Sequence, residues 1–301
     1  MDFTEQIKTA RPNVSASTIK TYNTLLKTTY KRVFGETKTP DIDNFKNVEA
    51  ILHHTKNESL QTRKTRFSAI IALAPMPEYR EQIYKDALEL KETTNKSEMT
   101  EKLEAAEITP EEMKQVVSNL KTNAKALNHK TKLTMANLQE IQNYVIISLY
   151  HGHIPPRRAI DFTEMVLKPT DKATQNYIDM DELKFVFNKY KTASTYGTQE
   201  IDIPPKLEKI LKKWIAIIPD DVNHLLFNLK CESLSNVTLN QRFNEMFGGP
   251  KGINSLRHYY LTQNHSDTIR GEDKMAADMV AMGSNIAQSR SYIKVNPKSE
   301  E

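Results

Sequence analysis

Asp181-Glu182-Leu183-Lys184-Phe185-Val186-Phe187-Asn188-Lys189-Tyr190-Lys191-Thr192, continuing to Ile201-Asp202-Ile203-Pro204-Pro205, is the stretch that reads as β-structure in an otherwise helical chain. Leu183 to Phe187 alternates in strand fashion, Thr195-Tyr196-Gly197 supplies a turn, and Ile201-Asp202-Ile203 alternates again before two prolines end it. This is the pattern of a β-hairpin. On the N-terminal side, Ile19, Tyr22, Leu26, Tyr30 and Val33 fall at three- and four-residue steps, with Ser17 as a cap and Gly35 as a stop. A second helix is expected after Ser59, through Phe67, Ile70, Ile71 and Leu73, until Pro75 and Pro77 end it. Leu138 to Tyr150 is apolar enough for a buried central helix, and helical patterns resume from Leu207, including Leu211 to Ile218 around Trp214. The expected fold class is α+β, mostly α, with one small antiparallel sheet.

The polar, charge-mixed run over 91–107 predicts a linker. Thr109-Pro110-Glu111-Glu112 then gives an N-cap, a proline in the first helical position and a glutamate two residues later. The expected division is a helical domain over 1–106 and a second domain over 107–301. At 301 residues the chain has room for both. Lys and Arg number 42 against 38 Asp and Glu, for a formal charge of +4, so nucleic acid must be argued from where the charge lies. The single cysteine, Cys231, excludes an internal disulfide and fits a reducing compartment. No apolar run approaches the ~18 residues of a membrane span, and Met1-Asp2-Phe3-Thr4-Glu5 does not open a signal peptide. A soluble, intracellular protein is expected.

Four residue types stand in one order in the second half: Arg158 in Pro155-Pro156-Arg157-Arg158-Ala159-Ile160-Asp161, Lys191 before Thr192, Arg257 in Asn254-Ser255-Leu256-Arg257-His258-Tyr259, and Tyr292 downstream of Met282-Gly283-Ser284. Two arginines can hold the non-bridging oxygens of a phosphodiester, a lysine can protonate a leaving oxygen, and a tyrosine can attack phosphorus. On these motifs the chain resembles the tyrosine recombinase (phage-integrase-like) family, in the flavour of integrases from large DNA viruses and virus-like mobile elements of eukaryotes. The resemblance covers roughly residues 109–296, and more loosely the N-terminal helices, which look like a core-binding domain.

The resemblance implies a site-specific recombinase or integrase that cleaves and rejoins double-stranded DNA through a 3′-phosphotyrosine. It implies no metal and no other cofactor, and four protomers assembled on two duplexes. For a protein of viral origin the compartment would be the host nucleus or a viral factory. The family's R-x-x-[ED] pattern selects Arg158 over Arg157 and gives Asp161 an orienting role. Its lysine-threonine pair selects Lys191, with Lys189 as a competitor. The chain departs from the family at two histidine positions, filled here by Asn254 and Ser284. Neither side chain can accept a proton near neutral pH. His258 is the nearest alternative base, and the family places that residue behind the site, in support of the fold.

Lys56, Arg63, Lys64 and Arg66 are read as a basic stripe opposite an apolar one, suited to a phosphate backbone or equally to solvent. Rival chemistries lack their motifs: there is no Walker loop, no nucleophile elbow and no paired Cys or His spacing for a metal. His151 and His153, two residues apart, do not share a helix face. Two other outcomes stay open at this stage. One is a type IB topoisomerase-like enzyme with the same chemistry; the other is a DNA-binding protein that has lost catalysis, as Asn254 and Ser284 would allow.

Overall fold

The computed structural model describes residues 1–95, 104–130 and 132–281. The chain divides into two compact units, Met1–Met99 and Thr100–Glu301. In the first, α1 (Thr4–Ala10), α2 (Ala16–Phe34), α3 (Val48–Thr55), α4 (Leu60–Leu73) and α5 (Pro77–Asn95) enclose a core of their own, with a 3₁₀ turn at Ile42–Lys46. The cap of α2 is Ser15 rather than Ser17; the Ser15 side chain accepts from the Thr18 amide, so the helix opens two residues earlier than expected. Gly35 ends it with φ +91°, a left-handed conformation that glycine adopts without strain. Ser59 caps α4 as anticipated. Pro77 begins α5, where its missing amide is no loss, and α5 carries the helix through Lys91 to Asn95.

The second unit is built on α6 (Pro110–Asn128), capped by Thr109, and α7 (Met135–Tyr150), closed by a capping box between Thr134 and Asn137. The short α8 (Ala159–Thr163) follows, then β1 (Tyr177–Asp179), β2 (Lys184–Phe187), α9 (Ala193–Tyr196) and β3 (Gln199–Asp202). After these come α10 (Pro205–Ile215), α11 (Asn236–Phe247) and α12 (Ile253–Ala281). The strands form one antiparallel sheet in the order β1-β2-β3, with Ile178 opposite Phe185 and Phe185 opposite Ile201. The fold is therefore mostly helical with one small antiparallel sheet. Two details differ from expectation. The connection between β2 and β3 is a turn of helix ended by Gly197 (φ +67°), and β1 adds a strand too short to show alternation.

Aromatic edge-to-face contacts tie the sheet to the helices. Phe162 on α8 lies 5.5 Å from Phe185 and 5.6 Å from Phe187, and Tyr150 lies 5.7 Å from Phe162 and 5.2 Å from Phe243 on α11. Trp214 stacks on Phe227 at 5.5 Å, its indole N–H donating to the Leu225 carbonyl. No helix among the described residues is long and apolar enough to cross a membrane.

The basic stripe of α4 needs correction at two of its four positions. Arg66 is buried, donates to both oxygens of Glu58 at 2.6 and 2.8 Å, and bonds Thr29 and the Leu25 carbonyl. Arg63 makes a two-point pair with the buried Asp86 at 2.5 and 2.8 Å. Both guanidinium groups are satisfied inside this unit, which leaves Lys56 and Lys64 as the cations of the stripe without such partners. Burial pushes the Asp86 carboxyl up, but hydrogen bonds from Arg63 and Gln82 outweigh it and hold the group below its ordinary value.

These residues should separate into two kinds of behaviour. Arg66→Ala is expected to destabilise the protein by about 3–5 kcal/mol in denaturant melts, because Glu58 is left without its partner. Lys56→Ala with Lys64→Ala is expected to leave the melts alone and to lower the salt slope of DNA binding by about 0.9 per lost contact. An unchanged slope in the double variant would assign the two lysines to solvent. Because the folded-state value of Asp86 is depressed, its stabilisation is full above the unfolded carboxylate value and is lost as pH falls below it.

Candidate active site

The loop after α7 delivers Pro155-Pro156-Arg157-Arg158 to the edge of the sheet. The two arginines differ sharply. Arg157 Nε donates to Asp161 Oδ2 at 2.8 Å and Nη1 to Gln199 Oε1 of β3 at 2.8 Å. Its guanidinium lies 3.8 Å from the Phe187 ring centroid and 5.0 Å from that of Tyr190. Arg157 is therefore a clamp between α8 and the sheet. Arg158 is half-buried, and its side chain has no hydrogen-bond or ion-pair partner among the described residues. Asp161, expected to orient Arg158 or the backbone, takes Arg157 as its ion-pair partner. Burial pushes the Asp161 carboxyl up, although the charges of Arg157 and Arg158 pull the other way.

The lysines show the same contrast. Both side chains are exposed, but Lys189 Nζ sits 2.9 Å from Glu164, whereas Lys191 has no partner among the described residues. The turn that carries them is fixed by Asn176, which no motif flagged. Its buried side chain accepts from the amides of Asn188 and Lys189 and donates to the carbonyls of Lys189 and Asp161, at 2.7–3.2 Å. One amide group thus links the lysine turn to the helix that follows Arg158. Its sequence signal was faint: a lone asparagine beside a three-residue strand.

Arg257 stands in the second turn of α12, half-buried and again without a hydrogen-bond or ion-pair partner among the described residues. Neighbouring Ser255 and Leu256 are buried and anchor that face of the helix. The start of α12 is held by Asn240 of α11, whose Oδ1 accepts the Ile253 amide at 3.1 Å. A Cβ at Gly252 would lie 2.5 Å from the same oxygen, so any larger residue there would push the Asn240 side chain out of this cap. Arg257 and Arg157 both act on the buried Tyr150 hydroxyl. Burial, then the charge of Asp161, push that hydroxyl well above its ordinary value, and the two arginines oppose the rise. The charges of both arginine boxes, a hundred positions apart in sequence, are thus felt at one buried tyrosine.

Asn254 is exposed in the first turn of α12. His258 is exposed as well, which corrects the expectation that it supports the fold from behind. Ser284 and Tyr292 lie outside the described residues. Among the described residues no cluster of three His, Cys, Asp or Glu side chains could hold a metal ion.

No protein-family model matches the chain, and no curated protein does. Several solved structures resemble it over most of its length, among them three of recombinases. XerA recombinase is 13% identical with a TM-score of 0.37, covering 87% of this chain and 83% of its own. XerH site-specific recombinase bound to difH substrate in a pre-cleavage complex is 16% identical with a TM-score of 0.45, covering 88% and 75%. Its post-cleavage complex with palindromic difH gives 16% and 0.45, covering 85% and 70%. At such identities the chemistry has to be read from this chain's own side chains.

Proposed function

We propose that this protein cleaves and rejoins double-stranded DNA as a tyrosine recombinase. The observation that carries the proposal is the pairing state of the cations. Arg158, Lys191 and Arg257, selected by motif, have no partner among the described residues, while their neighbours Arg157 and Lys189 are bound to Asp161 and Glu164. Two half-buried arginines and an exposed lysine, all without counter-ions among the described residues, suit a site that receives an anion.

In the proposed step the Tyr292 oxygen attacks phosphorus. The bond from phosphorus to the 5′-oxygen breaks, leaving a 3′-phosphotyrosine. Arg158 and Arg257 bind the non-bridging oxygens, where negative charge accumulates. Lys191 gives its proton to the departing 5′-oxygen. The tyrosine proton passes to water or to His258, because Asn254 and Ser284 cannot take it. Attack by the 5′-hydroxyl of a partner strand reverses the step and releases the tyrosine, and the phosphotyrosine conserves the bond energy throughout. Strand exchange by this route needs four protomers on two duplexes. Lys56 and Lys64 of the first unit contribute phosphate contacts. An origin in a virus or mobile element belongs to the same proposal and rests on the sequence motifs.

A second reading is favoured by one observation: two positions that are histidine in the family carry Asn254 and Ser284, so the protein would bind DNA without cutting it. Incubation with a nicked suicide duplex in the presence of a chelator separates the two. A covalent protein–DNA band on a denaturing gel is the expected result. Saturable binding with no such band would establish the second reading.

A further inference from the structure

A cavity of about 540 Å³ opens on the second unit between α6, α7 and α10, and none of the proposed catalytic cations lines it. α6 and α10 both pack on α7, and the cavity lies between them, over α7. Its floor is apolar, made by Ile141, Tyr144 and Val145 of α7 with Ile210 of α10. Its rims are basic. Lys121 and Lys125, one helical turn apart, line the α6 side; Lys206, Lys209 and Lys213, at three- and four-residue steps, line the α10 side. All five lysines are exposed, and among the described residues they have no ion-pair partners and no carboxylate lines the cavity.

An apolar floor between two cationic rails has a specific complement. A helix lying along α7 would complete a local bundle at the usual 8–10 Å spacing, roughly, between axes. Such a helix must present an apolar stripe to the floor and carboxylates on both flanks to the rails. Duplex DNA matches the rails but not the floor, since phosphates and sugars gain nothing from Ile141, Val145 and Ile210. A second copy's C-terminal residues 282–301 match poorly too, because they carry Arg290, Lys294 and Lys298 against only Glu300 and Glu301. We infer that this groove docks an amphipathic helix of a partner protein, one whose apolar stripe is bordered on both sides by acidic residues. The inference does not depend on the proposed cleavage reaction.

The test uses a fluorescein-labelled helical peptide of about 18 residues, with leucines at i, i+3, i+4 and i+7 and glutamates on both flanks. Its control is a scrambled peptide of identical composition, and binding to the whole protein is read by anisotropy. Saturable binding is expected, weakened about tenfold or more by scrambling, by K121E/K125E and by K206E/K209E/K213E. Because the lysines are exposed, these variants should fold, which circular dichroism checks. Duplex oligonucleotide binding is measured with the same variants and should be unchanged. Absence of saturable binding, or equal binding of the scrambled peptide, would overturn the inference. So would rail variants that weaken the duplex as much as the peptide, in which case the groove is a DNA contact.

Discussion

Lys191→Ala is expected to slow cleavage of ordinary DNA by about 10²–10⁴-fold and to lose most of that defect when sulfur replaces the bridging 5′-oxygen. The reason lies in the leaving group. An alcohol oxygen leaves as an alkoxide only with difficulty, since its conjugate acid is about as weak as water. A general acid at that oxygen therefore has a large effect. A thiolate, whose conjugate acid has a pKa of about 8.5, departs without a proton. Lys189 is the internal control, because its ammonium is already engaged by Glu164 at 2.9 Å. Lys189→Ala should cleave normally on both substrates. If sulfur rescues Lys189→Ala instead, the two lysines exchange roles; if it rescues neither, the proton comes from elsewhere and Lys191 is a DNA contact.

Arg158→Ala and Arg257→Ala should each reduce cleavage by about 10²–10³-fold, with or without sulfur, because their targets are the non-bridging oxygens. Their thermal and denaturant stability should stay close to that of the parent, since neither side chain has a partner to lose. Arg157→Ala is expected to do the reverse. It would leave the buried Asp161 carboxylate unpaired and remove the cation stacked on Phe187, a loss of about 3–5 kcal/mol. Cleavage rates set beside denaturant melts for the three variants decide the matter. A well-folded but inactive Arg157→Ala, with an active Arg158→Ala, would mean that the motif had been read one residue out of register.

The elements with strong periodicity were legible in the sequence. The hairpin stood out because Phe185, Val186, Phe187, Ile201 and Ile203 are β-formers set among helical patterns, and the caps at Ser59 and Thr109 are local chemistry that tertiary contacts did not override. The basic stripe failed for a physical reason. Positions 63 and 66 are three apart and share a helix face, and that face turns inward toward Thr29, Glu58 and Asp86. A clue was present, since Asp86 continues the spacing of Tyr79 and Ile83 on the inner side of α5, and an acid there requires a cation. Which arginine and which lysine of each adjacent set stays unpaired could not be read from spacing at all. It depends on Asp161, Gln199 and Glu164, brought close only by the fold. Asn176 was invisible for the same reason, because its four hydrogen bonds all reach segments more than ten residues away.

The central claim is that a tyrosine of this chain, placed by the Met282-Gly283-Ser284 motif, becomes joined to the 3′-phosphate of cut DNA. Digestion of the trapped protein–DNA complex, followed by mass spectrometry of the nucleotide-bearing peptide, tests it most directly. The account predicts a single modified site at Tyr292, and loss of the adduct in Tyr292→Phe with duplex binding retained. An adduct on Tyr259 or Tyr260, or an undiminished adduct in Tyr292→Phe, would contradict it.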